Sequence, residues 1–264
     1  MNYVLLTGAQ GGLGLATRKR LIEAGYHVIG VDIVDYKEEI TNYTYFKCDL
    51  TSSKEVDKLF DKVNEITKKL FAIVNLVGMF KFQSLVEGSE EDFRKIFEVN
   101  FFSIYLVNKR FLEMLDDKSR IINMSSEEAK YSPQPFTGYY SITKCTLDMY
   151  NDVLRRECNY LGIKVIKIIG GSFKTKMLTK VGEEYEVLVK NSKRFVQPLT
   201  KLKGMMDNEL NKEHSPDKFG KLVCKILKKK HPKIVYKINK SFALSFLNIF
   251  PEKIQDKIYL AVIK

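Results

Sequence analysis

Along the first two thirds of the 264-residue chain, short apolar runs alternate with longer stretches in which apolar residues return every three or four positions. The runs at 3–7, 27–33, 45–48, 72–76, 120–125 and 164–169 are rich in Val and Ile and too short for helices, so they predict strands. The stretches between them predict helices. One spans 13–24 and ends at Gly25, a C-cap residue type; another spans 53–68, follows the N-cap types Thr51 and Ser52, and puts Val56, Leu59, Phe60, Val63 and Ile66 on one face. A single long helix is expected over 89–115, opened by Ser89 with Asp92 three residues on, and a further one over 139–161, ending before Gly162. Six strands each followed by a helix predict an α/β protein, a three-layer doubly wound parallel sheet.

Beyond Lys174 the alternation loosens. Residues 177–214 carry helical patches, Pro198 and Gly204 but no clear strand, which predicts a variable insertion acting as a lid over a ligand. A helix from Ser215-Pro216 to Lys229 and a short strand over 233–238 follow. No linker or repeat interrupts the chain, and its length suits one domain over 1–264.

The net charge of +12 is unevenly spread: residues 215–264 hold twelve lysines against Asp217, Glu252 and Asp256, and the rest is close to neutral. The positive charge lacks a reading helix or interleaved aromatic residues, which argues against nucleic acid. A lysine-rich surface around a buried C-terminal helix is favoured over peripheral contact with an anionic membrane, although Phe242, Leu244, Phe246, Leu247, Ile249 and Phe250 lie among those lysines. No apolar run approaches the ~18 residues that span a bilayer. Met1-Asn2 leads at once into Tyr3-Val4-Leu5-Leu6, so no secretory leader is expected, and the scattered Cys48, Cys145, Cys158 and Cys224 read as reduced thiols; together these predict a cytoplasmic protein. Three histidines without HExxH-like spacing predict no protein-ligated metal.

The candidate chemistry begins with Thr7-Gly8-Ala9-Gln10-Gly11-Gly12-Leu13-Gly14, which leaves the first strand and opens the first helix. Glycines there allow close backbone approach, and a helix N-terminus presents free N–H groups and a positive dipole end to a pyrophosphate. Farther on, Tyr140 and Lys144 stand four apart on a predicted helix, so their side chains share a face, and a cation beside a phenol favours the phenolate. The TGxxxGxG turn and the YxxxK pair together resemble the short-chain dehydrogenase/reductase superfamily, in its shorter branch, over about residues 3–177. That resemblance implies a Rossmann fold and a nicotinamide dinucleotide held by Gly8, Gln10, Gly11, Gly12, Leu13 and Gly14.

It also assigns roles elsewhere. Asp32, closing the second strand, accepts the adenosine ribose hydroxyls and repels a 2′-phosphate, so NAD is expected over NADP, with Arg18 and Lys19 leaving room for some NADP use. Asp49, in Cys48-Asp49-Leu50, matches the adenine contact. Asn75-Leu76-Val77-Gly78 departs from the family's Asn-Asn-Ala-Gly but keeps Asn75 and Gly78. Asn100 matches an asparagine that distorts its helix and holds a water linked to the lysine. Gly171, Phe173 and Thr175 resemble the Pro-Gly-x-x-x-Thr segment at the nicotinamide end, with Gly170 in place of the proline and a looser turn expected. Ser126 matches the substrate-polarising serine, although it lies fourteen residues before Tyr140 where thirteen is usual; Ser125 is the alternative, and Tyr139 lacks a lysine four residues on.

The implied reaction is reversible hydride transfer between a nicotinamide and a secondary alcohol or ketone, with Ser126, Tyr140, Lys144 and Asn100 as its catalytic set. Phe80, Phe82, Tyr131, Pro135, Phe136, Tyr139, Phe173 and Met177 hint at an apolar pocket suited to a steroid, retinoid, fatty or aromatic alcohol. A homodimer or homotetramer is implied through the helices carrying Asn100 and Tyr140. The alternatives are a dinucleotide-binding scaffold without turnover and a sugar-nucleotide epimerase or dehydratase, whose chains are usually longer and carry TGxxGxxG.

Overall fold

Val4, Leu5 and Leu6, Ala72, Ile73 and Val74, and Ile121 and Ile122 expose no surface at all. Strands buried on both faces need cover on both faces, and this is why their sequences read as unbroken apolar runs. The computed structural model describes residues 1–131, 133–210 and 214–263. Among these, seven parallel strands run in the order β3-β2-β1-β4-β5-β6-β7: β1 Tyr3–Thr7, β2 His27–Asp32, β3 Tyr43–Lys47, β4 Ala72–Asn75, β5 Arg120–Ser126, β6 Lys164–Gly170 and β7 Val235–Ile238. The chain winds outward from β1 to β3, returns to lay β4 on the other side of β1 in the register Thr7↔Asn75, and continues to β7, which is the doubly wound Rossmann arrangement.

One face is covered by α1 (Gly12–Glu23) and, after a long excursion, α8 (Asp217–Lys228). The two approach closely because residue 220 is glycine: a Cβ there would meet the Ala16 carbonyl oxygen at 2.5 Å. Arg20 Nε on α1 lies 2.6 Å from Asp217 Oδ1 on α8, and Phe219, Val223, Ile226 and Leu227 fill the core beneath. The opposite face is covered by α2 (Ser53–Ile66), whose Val56, Leu59, Phe60 and Val63 pack with Val107 and Phe111 of α4 (Ser103–Phe111). Each such side chain contributes about 1.5–3 kcal/mol by leaving water. As expected, the Ser52 hydroxyl caps α2 by accepting from Glu55 N.

The single helix expected over 89–115 is interrupted. It runs as α3 (Glu90–Phe97), a π-helical turn (Glu98–Phe102), α4 and a 3-10 turn (Leu112–Met114). α5 (Gly138–Asn159) starts one residue before the expected 139. β3 begins two residues before the expected 45, because Asn42 turns the chain at φ 61 and Tyr43 pairs at once with Val28.

The insertion forms α6 (Lys176–Asn191) and α7 (Val196–Leu210); residues 211–213 of the expected lid, and Ser132 in the loop before α5, lie outside the described residues. Val181, Tyr185, Leu188 and Leu199 pack on Phe82. Glu87 ties the α6–α7 turn down, accepting from Ser192 Oγ at 2.7 Å, Arg194 N at 2.8 Å and Lys193 N at 3.2 Å. The last elements are α9 (Phe242–Leu247), which buries none of its residues, and α10 (Glu252–Ile263), which buries Gln255. Among the described residues no helix is long and apolar enough to cross a membrane.

Candidate active site

The glycine turn leaves β1 with Gly8 at φ +66, where a Cβ would also press on the backbone of Leu76 and Val77 at 2.8 Å. Gly14 is required for a different reason, because a Cβ would collide with the Gly8 carbonyl. α1 opens at Gly11 without a side-chain cap and without an acidic residue in its first turn. The first-turn N–H groups are therefore left without an internal partner, the condition that suits a pyrophosphate. A Cβ on Gly12 would lie 2.5 Å from Thr175 Cγ2, so the two segments expected to hold a dinucleotide meet.

At the end of β2, Asp32 takes the Gln10 N–H at 2.9 Å on one carboxylate oxygen and the Ile33 N–H at 2.8 Å on the other. Each oxygen keeps a second lone pair for a ribose hydroxyl. Beside it Arg18 stacks between Tyr36 and Tyr43, its Cζ 5.1 and 4.8 Å from their ring centroids, and its buried Nη1 has no hydrogen-bond partner among the described residues. Asp49 is half-buried and receives Thr51 N at 2.9 Å and Thr51 Oγ1 at 2.7 Å.

Four of the residues expected around the cofactor turn their side chains into packed surroundings. Asn75 is fully buried, donating to Asn108 Oδ1 and Asn123 Oδ1 at 2.8 Å and receiving Thr7 Oγ1 at 3.3 Å, so it braces β4 beneath the site. Leu50 lies in the core with α2, and Phe173 packs edge-on against Phe219 at 5.7 Å. Val77 packs on the α2 core as well, while Gly78 lies at the site proper: a Cβ there would be 3.4 Å from Asn100 Oδ1 and 3.7 Å from Lys144 Nζ. Nor is the turn at Gly170 loose. Gly170 pairs with Ser126 on one side and Ile238 on the other, and Gly171 N donates to Ile238 O at 3.0 Å, so β7 supplies the restraint expected of a proline.

The chemical groups converge where β5 ends and α5 begins. Ser126 lies near enough to the half-buried Tyr140 hydroxyl to favour its ionised form, whereas Ser125 Oγ donates to Asp148 at 2.6 Å. The fourteen-residue spacing thus still brings Ser126 to Tyr140. Tyr139 is turned away, its hydroxyl donating to Ser89 O at 2.8 Å. Lys144 Nζ lies 5.5 Å from the Tyr140 ring centroid and donates to Met124 O at 3.2 Å. Burial pushes the Tyr140 hydroxyl up to about 12, Ser126 opposing and the Glu128 and Glu127 carboxylates adding to the rise. It pushes Lys144 down to about 8, with Asp148 opposing. The depressed tyrosine expected from the spacing is absent in the chain by itself, because desolvation exceeds the other effects.

Asn100 sits in the π-helical turn, fully buried. Its Oδ1 takes Met79 N at 2.7 Å and its Nδ2 donates to Met79 O at 2.9 Å and Thr143 Oγ1 at 3.0 Å. The side-chain amide thus ties the segment after β4 to α5.

This order of elements and groups coincides with a known family: the short chain dehydrogenase profile matches residues 2–186. The chain belongs to the short-chain dehydrogenase family. Estradiol 17-beta-dehydrogenase 2 of Mus musculus is 32% identical over 189 residues, 66% of this chain and 49% of the mouse protein. The 17-beta-hydroxysteroid dehydrogenase type 6 of Rattus norvegicus is 29% identical over 73% of this chain and 62% of its own length. The chain thus spans about half to three fifths of these two relatives. A 3-ketodihydrosphingosine reductase of Bacteroides thetaiotaomicron is 28% identical over 87% of this chain and 84% of its own. Among solved structures, a short chain dehydrogenase family protein from Francisella tularensis superposes with TM-score 0.76 at 20% identity, covering 90% of this chain and 96% of that one. A 3-ketoacyl-(acyl-carrier-protein) reductase from Brucella melitensis complexed with NADH does so at 0.72 and 18%, covering 89% and 96%. Members of this family are oxidoreductases that bind a nicotinamide dinucleotide.

In this chain several residues near the site carry no motif; Phe80 was expected only in an apolar pocket, and Glu127, Glu128, Lys167 and Asp148 were not anticipated. Phe80 lays its ring 4.8 Å from that of Tyr140. Glu128 accepts from Ser141 Oγ at 2.9 Å, and Glu127 accepts Ser241 N at 2.8 Å. Lys167 is buried in mid-strand, 2.8 Å from Asp148 Oδ2, close to where Asp148 also holds Ser125. A lysine inside an Ile-rich strand and two glutamates after a strand-ending serine are the signals that could have found them.

Proposed function

We propose that this chain interconverts a secondary alcohol and a ketone on an apolar substrate, using NAD(H). The observation that carries the reading is Lys144 Nζ 5.5 Å from the Tyr140 ring, with Ser126 beside the hydroxyl of the same residue, in a chain whose glycine turn opens an uncapped helix N-terminus. Gly11, Gly12, Leu13 and Gly14 would hold the pyrophosphate, Asp32 the ribose, and Gly78, Gly171 and Thr175 the nicotinamide end. The dinucleotide, when bound, supplies or accepts the hydride. Ser126 and Tyr140 hold the substrate oxygen, and Tyr140, protonated near neutral pH, gives its proton to that oxygen as the carbonyl carbon is reduced. Lys144 steadies the phenolate left behind, and Asn100 keeps Met79 and Thr143 in place.

Aromatic rings lead from Tyr140 toward the lid. Phe80 and Phe82 are 5.1 Å apart, Phe82 meets Tyr185 at 5.5 Å, and Phe136 meets Phe195 at 5.4 Å. This aromatic cluster beside Tyr140 supports a steroid-like, fatty or aromatic substrate. NADP(H) is the second reading, favoured near the ribose end by the Arg18 Nη1, unpartnered among the described residues. Self-association through α4 and α5 belongs to the same reading; Met149 and Val153 on α5 are 68% and 44% exposed.

The test is a reduction assay with NADH over a steroid ketone, an aliphatic ketone and a ketose. One of the apolar ketones is expected to turn over, and Tyr140→Phe to cut its rate by a factor of ~10² or more while NADH binding, followed by fluorescence, persists. Full activity in the variant sinks the assignment.

A further inference from the structure

Among the described residues, none covers the outer face of the C-terminal segment, which is chemically distinctive. α9 is pinned on its inner side: Ser241 N donates to Glu127 Oε2 at 2.8 Å, and Ser245 Oγ donates to the Tyr131 hydroxyl at 2.7 Å. Its outer side carries Phe242 and Phe246, 84% and 54% exposed, with rings stacked 6.4 Å apart, and Ile249 follows at 76%. On α10, Ile254 and Ile258 stand one turn apart and exposed. A folded chain leaves such a run of large apolar side chains in water only where something else covers it.

What covers it is indicated by charge. Lys237 and Lys240 are exposed at the base of α9, close enough to each other and to Lys130 that their repulsion lowers the Lys237 pKa from its ordinary value. Lys253 and Lys257 flank Ile254 and Ile258 in the α10 sequence, and only Glu252 and Asp256 oppose them. A second copy would bring these lysines against their own kind. Apolar side chains among crowded cations match an anionic lipid surface, where the rings enter the boundary between headgroups and acyl chains and the ammonium groups meet phosphates.

We propose that the α9–α10 face docks on an anionic bilayer, with Phe242, Phe246 and Ile249 entering the interface and Lys237 and Lys240 contacting lipid phosphates. This holds whether or not the site carries out hydride transfer.

The test is co-sedimentation of the full chain with vesicles of phosphatidylcholine alone or mixed with phosphatidylglycerol. Binding to the mixed vesicles is expected to exceed that to phosphatidylcholine by about ten-fold or more, and to collapse in molar salt. Phe242→Asp with Phe246→Asp, and separately Lys237→Glu with Lys240→Glu, should each cut it about ten-fold. Circular dichroism and thermal melts confirm that these surface variants remain folded. Equal binding to both vesicle types, or none, overturns the proposal. So does a wild-type dimer, seen by light scattering, that the phenylalanine variant converts to monomer with no change in vesicle binding.

Discussion

Tyr140 and the buried Lys144, two groups that would ionise with opposite sign, lie side by side, and desolvation moves each toward its neutral form. Helix spacing reveals that they are neighbours but says nothing of how much water reaches them, so the sequence supports Coulomb attraction and is silent on desolvation. The lysine offers a direct check. Its folded pKa of about 8 lies below the ordinary 10.5, so between those pH values the unfolded chain holds a proton that the folded chain has released. Stability then rises with pH through this window, and the cost of the buried ammonium is greatest below pH 8. Lys144→Met should accordingly be more stable than the native chain at pH 7, by roughly 3 kcal/mol from the shift itself. That advantage should fade toward pH 10.5. Urea melts at pH 7, 8.5 and 10 measure it, and a gap that does not change with pH contradicts it.

The strands and the glycine turn were legible because each is written locally, as a short apolar run or as glycines between a strand and a helix. The π-helical turn was not. Its apolar spacing continues through Glu98–Phe102 without a break, and the one visible sign was a polar Asn100 in the middle of the helix. In the fold that amide takes up both hydrogen-bonding groups of Met79, the residue after Gly78, and also reaches α5 through Thr143. The inward packing of the Asn75, Leu50 and Phe173 side chains was not legible for a related reason: a motif gives the order of residues, while which side chain turns inward depends on the elements packed around it. Asn100→Ala leaves Met79 N and O without partners, at about 1–3 kcal/mol for each. The expected loss is therefore roughly 2–6 kcal/mol in urea unfolding, with turnover falling alongside. Asn100→Asp still accepts from Met79 N but cannot donate to Met79 O while ionised, and should fall between the two; a loss below 1 kcal/mol for alanine would remove the clamp from the account.

Across the whole molecule the winding reverses between β1 and β4, and ligands of doubly wound sheets bind at the carboxyl ends of the strands beside such a reversal. Gly8 closes against Leu76 and Val77 there, and Gly12 meets Thr175 from beyond β6, so a dinucleotide laid across this line would touch both halves of the sheet. The basic last fifth of the chain, read from composition as one segment, divides between two tasks: α8 and β7 complete the core and the sheet, and α9 presents its phenylalanines to solvent while α10 exposes Ile254 and Ile258. A ligand that bridges the two halves binds the folded chain and not the unfolded one, so it should raise the melting temperature of the whole molecule rather than of one part. At a concentration a hundred times its Kd the gain is about 2.7 kcal/mol, or roughly 5–10 °C for a chain of this size. With Asp32 at the ribose end, NADH should give the larger shift and NADPH the smaller at equal concentration, because a 2′-phosphate would approach a carboxylate. Differential scanning fluorimetry reads both. Asp32→Ala should narrow the difference, and a larger shift with NADPH would pass control of the cofactor to Arg18 and its buried Nη1.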